Sequence, residues 1–289
     1  MSGASALSSS DPLDSVAGEL PATSHQRISI AQWMCLFLIL TIAGFTRFYW
    51  LDRDGLSHDE IGSLQVATGF GGSILTEPLG VIFRPEATTH LAGARGWAHL
   101  WTGMFTDVHP PLYTLILRAW GTVFGDSALA VRSLSGVCSW LSIPLLFLAA
   151  RRSFGTAVGL WSCAIICCAE YVLINAREVR MYGLVLLEYV LLILASQRVL
   201  RRQADNKSVA WFCLISLLAM YTQYFSAFVI VGILVHFLTV LSVRQVARLG
   251  IGLAIVGAFY VVTWGPWFWE QVQRGNASTL TIRGNSQST

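Results

Sequence analysis

Charge is scarce in this 289-residue chain: Asp, Glu, Lys and Arg make up 12% of it, against roughly 25% in soluble globular domains. Lysine is almost missing, since Lys207 stands alone beside eighteen arginines. Nineteen basic and sixteen acidic residues leave a net charge of +3, too small and too scattered for a nucleic-acid footprint, so no polynucleotide partner is expected. Paired cysteines are lacking as well. Cys35, Cys138, Cys163, Cys167, Cys168 and Cys213 lie in apolar stretches without CxxC spacing or histidines at metal-ligand offsets, which excludes a disulfide framework and leaves them as small core residues. The N terminus lacks the cationic start of a secretory signal. Residues 1–27 are rich in Ser and Ala with Asp11, Asp14 and Glu19, a composition that predicts a disordered cytoplasmic tail.

Apolar residues are abundant instead, at 54%, with eleven Trp, eight Tyr and fifteen Phe to supply the interfacial belts of a bilayer protein. Runs long enough to cross, about 17–25 residues, fall at 28–51, 128–150, 156–175, 181–199, 208–222, 224–242 and 249–268. The expected fold class is therefore all-α, a polytopic transmembrane helix bundle of about seven spans. The stretch 208–242 is too long for one crossing, and YTQYF (Tyr221 to Phe225) offers the break of a hairpin. Arginine and lysine concentrate at Arg151 and Arg152, at Arg198, Arg201, Arg202 and Lys207, and at Arg244 and Arg248, which places those loops inside. The loop 52–108, the 175–182 connection, YTQYF and WGPWFWE (Trp264 to Glu270) then face outward. By the same parity the apolar stretch 109–124, interrupted by Pro110, Pro111 and Arg118, does not cross and suits an interfacial helix. The outer loop thus extends over 52–127, a membrane module over 28–270, and a polar tail, expected to be truncated, over 271–289.

Polar chemistry gathers on the outer face in three clusters. GLSHDE (Gly55 to Glu60) sets His58, Asp59 and Glu60 directly after the first span; the alternative is a helix start capped by acids. DVHPPLY (Asp107 to Tyr113) holds His109 ahead of a proline-opened helix, where the imidazole could meet a phosphate, a metal or a sugar hydroxyl. NAREVRMY (Asn175 to Tyr182) puts Arg177, Glu178 and Arg180 outside, against the positive-inside trend. A lipid-linked phosphate explains such arginines through bidentate hydrogen bonds, and an internal Glu178 to Arg180 ion pair explains them equally. Arg132 raises the same question and can also snorkel to headgroups. Glu170 and Glu188 fall within spans, where a carboxylate is a functional candidate; His236 reads as a satisfied core residue.

The ordered series of an Asp-Glu pair after the first span, HPPLYTLILRAWGTVFGDSALAVRSLSG, a span ending in AARRSFG, REVRMY and MYTQYF resembles the polytopic GT-C type glycosyltransferases. More narrowly, it resembles the bacterial members of glycosyltransferase family 39, the group of the protein O-mannosyltransferases and the aminoarabinose transferase. The resemblance implies an integral multi-pass protein of the bacterial plasma membrane, its active face outward. It also implies transfer of a sugar from a polyprenyl-phosphate donor to a lipid, glycan or protein acceptor. It casts Asp59 as general base with Glu60 beside it, and sets His109, Arg132, Glu178, Arg180, Tyr182 and Gln223 around the donor phosphate and substrate. Gln223 stands where relatives carry histidine. No cofactor is certain; a divalent cation on Asp59, Glu60 or His109 is left open. The rival readings are a lipid-linked-substrate transporter and an incomplete fragment or assembly partner.

Overall fold

The computed structural model describes residues 27–71, 86–104 and 107–286. The expected N-terminal tail, the loop residues Glu77 and Arg84 and the last three residues of the polar tail lie outside these. Among the described residues every regular element is helical. α1 (Ile30–Phe48) opens on a Ser29 capping box and is followed by four short elements of the long loop: α2 (His58–Ala67), α3 (Glu86–Thr89), α4 (Ala98–Gly103) and α5 (Leu112–Phe124). Seven helices complete the chain: α6 (Ala128–Phe154), α7 (Thr156–Cys168), α8 (Glu170–Ala176), α9 (Tyr182–Arg201), α10 (Asn206–Thr222), α11 (Ser226–Val240) and α12 (Val243–Ser286). α12 stays helical through the stretch expected as a polar tail.

These helices run back and forth between two ends. Arg47 near the end of α1 donates to Ser139 in the first half of α6, and Gln197 near the end of α9 donates to Ala149 and Ser153 at the end of α6. Arg248 at the start of α12 donates to the Ala204 carbonyl ahead of α10. All three basic clusters therefore share one end. The hairpin is present: the chain turns at Gln223 to Phe225, and Phe212 of α10 meets Phe237 of α11 edge-on at 5.5 Å.

The number of spans changes. α1, α6, α9 and Val243–Gln273 of α12 are each long and apolar enough to cross, and α7 with α8 makes a fifth if that pair, bent by 63°, is one span. α10 and α11 hold 17 and 15 residues, or about 26 and 22 Å at 1.5 Å per residue, short of a hydrocarbon core of about 30 Å. The bend falls at Ala169, beside the carboxylate of Glu170 that heads α8. α5, with 13 residues, reaches about 20 Å and is too short to cross alone. It is fastened along the polar end instead: Arg118 donates to the carbonyls of Ala67 and Arg95, and Trp120 to that of Ala130.

Two core expectations fail for one reason. Cys35 and Cys168 are exposed while the other four cysteines are buried, and His236 is exposed on α11. In a bilayer the lipid-facing side of a helix is as apolar as its packed side, so an apolar run does not tell which residues lie inside the bundle.

Candidate functional site

At the end opposite the basic clusters, Ser57 caps α2. Its hydroxyl accepts from the Glu60 amide at 3.4 Å, and its own amide donates to Glu60 Oε2 at 2.8 Å, the reciprocal pattern of a capping box. Glu60 is 1% exposed. Arg132 reaches it from the second turn of α6 with Nε to Oε1 at 2.7 Å and Nη2 to Oε2 at 2.8 Å, and the Val179 amide adds a bond to Oε1 at 3.0 Å. The remaining N–H groups of Arg132 go to the carbonyls of Leu51, Asp54 and Gly55 at 2.6, 2.9 and 3.0 Å. All five guanidinium donors are thus used. Burial opposes ionisation of Glu60, yet the Arg132 and amide hydrogen bonds hold its carboxyl below the usual range.

Arg132, expected beside the donor phosphate, commits all its N–H groups to Glu60 and to these three carbonyls in this structure. Glu60 likewise acts as the capping-box acid, the plainer of its two readings. Together they knot the end of α1, the start of α2, α6 and the 177–181 connection. A buried pair serves folding only when each charge is paired and hydrogen-bonded, and here both conditions hold.

Asp59 lies one residue earlier, about 100° around the helix, and its side chain is 66% exposed. Its Oδ2 is 3.8 Å from Nη2 of Arg180. The rim arginine is well placed. Its carbonyl accepts from Ser135 Oγ at 2.8 Å, Ser135 shares a hydrogen bond with the Tyr113 hydroxyl at 3.1 Å, and its guanidinium stands 5.8 Å over the Tyr182 ring. Gly183 permits this approach, since a Cβ there would run into the Ser135 carbonyl. The α9 start therefore packs directly on α6, and Arg180 is carried to the rim.

His109 joins the same field. Burial pushes its imidazole below its ordinary range, Asp107 and Asp59 pull the other way, and Arg180 adds to the depression. Its Nδ1 is buried without a hydrogen-bond partner. Glu178 is raised by burial and by the charges of Glu60 and Asp59, against the opposing pull of Arg180 and Arg132. Arg177 points elsewhere and donates to the carbonyls of Tyr49 and Trp50.

Gln223 belongs to a second cluster. Its Oε1 accepts from the Tyr224 amide at 3.1 Å; the Tyr224 hydroxyl accepts from Trp264 at 2.9 Å and donates to Gln271 Oε1 at 2.6 Å, and Gln271 donates to the Met104 carbonyl at 3.0 Å. Asp107 acts electrostatically on both His109 and Tyr224 and so links the clusters. Beside Tyr224 an open apolar groove of about 750 Å³ runs past Tyr260, Pro266, Phe268 and Trp269. The pairing of YTQYF with WGPWFWE has no signal in the sequence beyond the richness of both in aromatics. Ser57, by contrast, was legible through its Ser-x-x-Glu spacing.

Of the residues considered for a cation, Glu60 is already saturated. Each oxygen of Glu60 already accepts from two N–H groups, and among the described residues no group of three or more His, Cys, Asp or Glu is arranged to hold a metal ion.

Comparison with known proteins covers this site in part. The family model for dolichyl-phosphate-mannose-protein mannosyltransferase matches residues 108–267, which include His109, Arg132, Glu178, Arg180, Tyr182 and Gln223 but not Asp59 or Glu60. No curated protein matches the chain. Among solved structures, that of the S. cerevisiae protein O-mannosyltransferase Pmt1-Pmt2 complex bound to the sugar donor is similar in fold, with a TM-score of 0.55 and 13% identity. The match covers 85% of this chain and 35% of that one, so this chain spans about a third of the length of the neighbour.

Proposed function

This chain belongs to the dolichyl-phosphate-mannose-protein mannosyltransferase family, a GT-C mannosyltransferase-like membrane protein, and from that premise we propose that it transfers a sugar from a polyprenyl-phosphate donor. Asp59 is the general base in this reading. It takes the proton of an acceptor hydroxyl whose oxygen forms a bond to the sugar C1, while the bond from C1 to the carrier phosphate breaks with inversion. The polyprenyl phosphate leaves as an anion, and Arg180, whose side chain is largely buried, stabilises the growing charge.

The observation that carries the proposal is the pair itself: an exposed Asp59 carboxylate within ion-pair distance of Arg180, at 3.8 Å, beside a knot of buried hydrogen bonds that fastens the start of α2. A base and an anion-stabilising cation must lie close together, and here a carboxylate with free lone pairs and a guanidinium share one rim. His109 edges the same field and contributes an imidazole whose charged form burial disfavours. The aromatic groove beside Tyr224 offers an apolar path for the polyprenyl chain. Because the three basic clusters lie at the other end, the positive-inside trend favours action at the outer face.

Radiolabelled sugar transfer from a panel of polyprenyl-phosphate donors, in membranes containing this chain, tests the proposal. Product formed by the wild type and lost in Asp59→Asn is the expected result. Product undiminished in that variant, or no product from any donor with folded wild type, contradicts it.

A further inference from the structure

The basic end of the bundle carries a second polar site that sugar transfer does not use. The ends of α6 and α9 are tied there by Gln197, whose amide donates to Ala149 O and Ser153 Oγ at 2.8 Å each. That contact brings Arg152 from α6 into register with Arg198 and Arg201 on α9 and Arg202 just past it. With Gln197 and Trp211 of α10 they line a cleft of about 360 Å³, within the ~300–1,000 Å³ range of small-molecule sites. None of the four arginines has an ion-pair partner within 4 Å among the described residues. Asp205 interacts electrostatically with Arg202 and Arg198, and its side chain accepts from the Ser208 amide at the α10 cap.

A loop basic residue needs only water to serve as a topology signal. Four arginines lining one cleft from two helices set up a stronger positive field, and guanidinium groups carry the planar donors that suit phosphate oxygens. The remainder of the cleft says what the phosphate is attached to. Leu194 and Ile215 line it, and Trp211 is half-exposed at 50%, the position an interfacial indole takes at headgroup level. We propose that this cleft between α6, α9 and α10 binds the headgroup of an anionic phospholipid, its phosphate held by Arg152, Arg198, Arg201 and Arg202 and its first acyl carbons against the apolar lining. Basic pockets between membrane helices take anionic headgroups in this way.

The test uses the purified full chain in detergent. Phosphatidylglycerol, phosphatidylcholine or inorganic phosphate is added, bound lipid is counted by native mass spectrometry and the melting temperature is followed. The variants are the triple change Arg198→Gln, Arg201→Gln, Arg202→Gln and the control Arg244→Gln, which lies at the same end but outside the cleft. Phosphatidylglycerol should be retained by the wild type and by Arg244→Gln, and about tenfold or more weakly by the triple variant. If the triple variant does not fold, Arg198→Gln and Arg201→Gln singly should each lose part of that retention. Equal retention of phosphatidylcholine, or undiminished phosphatidylglycerol in the triple or in both single variants, overturns the proposal. Full displacement of the lipid by millimolar inorganic phosphate overturns the lipid assignment in favour of a soluble phosphate ligand.

Discussion

Beneath the start of α2 lies a closed knot, and above it an open rim, and the two are built on neighbouring acids, Glu60 and Asp59, that meet different arginines. Glu60 and Arg132 are buried, at 2.7 and 2.8 Å, with every donor and acceptor committed; Asp59 and Arg180 stand 3.8 Å apart with the carboxylate in the open. One step along a helix separates an acid that holds the fold from an acid free to meet a substrate. A charge that is saturated can position a site but cannot take part in its chemistry, whereas a charge with spare lone pairs at a rim can. The loop alone could not fix Asp59, because loop backbones are the mobile part of most folds. Cross-linking by Arg132 to Leu51, Asp54 and Gly55 removes that freedom.

The difference can be broken most severely from below. Arg132→Leu leaves Glu60 buried without its cation and frees three carbonyls, and a loss of about 3–5 kcal/mol is expected, read as a large drop in melting temperature with loss of folded protein. Arg180→Ala strips the rim and leaves the knot intact. Transfer should fall roughly 10- to 100-fold, the worth of a charge-assisted contact of about 1.5–3 kcal/mol, while the melting temperature stays near wild type. Gly183→Ala drives a methyl into the Ser135 carbonyl, so both readouts should fall, the melting temperature by the equivalent of about 1–3 kcal/mol.

How much of this was legible follows from the same residues. The helical class, the hairpin at YTQYF and the grouping of Asp59, His109, Glu178, Arg180 and Tyr182 at one end could be read from apolar runs, arginine placement and resemblance. The fate of Arg132 could not, because saturation depends on carbonyls of Leu51, Asp54 and Gly55, about eighty residues away in the chain. Gln223 accepts from the amide of Tyr224, whose hydroxyl meets Trp264 and Gln271, a neighbourhood hidden from the sequence because linear order does not say which turn of α12 passes the α10 break. Cys35, Cys168 and His236 were misplaced because lipid and protein interior look alike to an apolar pattern.

The smallest expected effect concerns pH. The imidazole of His109 titrates below its ordinary range in the folded protein because burial disfavours its charged form. A depressed histidine contributes stability that is present above its unfolded value of about 6.5 and is lost as pH falls through the folded value. Melting temperature in detergent should therefore decline on acidification below about 6.5, and His109→Gln should flatten that part of the profile.

The most direct measurement sets Asp59→Asn beside Glu60→Gln and records, for each, sugar transfer from a polyprenyl-phosphate donor and melting temperature. A crossed result is expected: Asp59→Asn melts like wild type, within about 0.5 kcal/mol, and loses transfer on the order of 10²–10⁴-fold, while Glu60→Gln melts well below wild type. A folded Glu60→Gln protein with wild-type melting, or an Asp59→Asn protein that transfers sugar at the wild-type rate, would contradict the division between knot and rim.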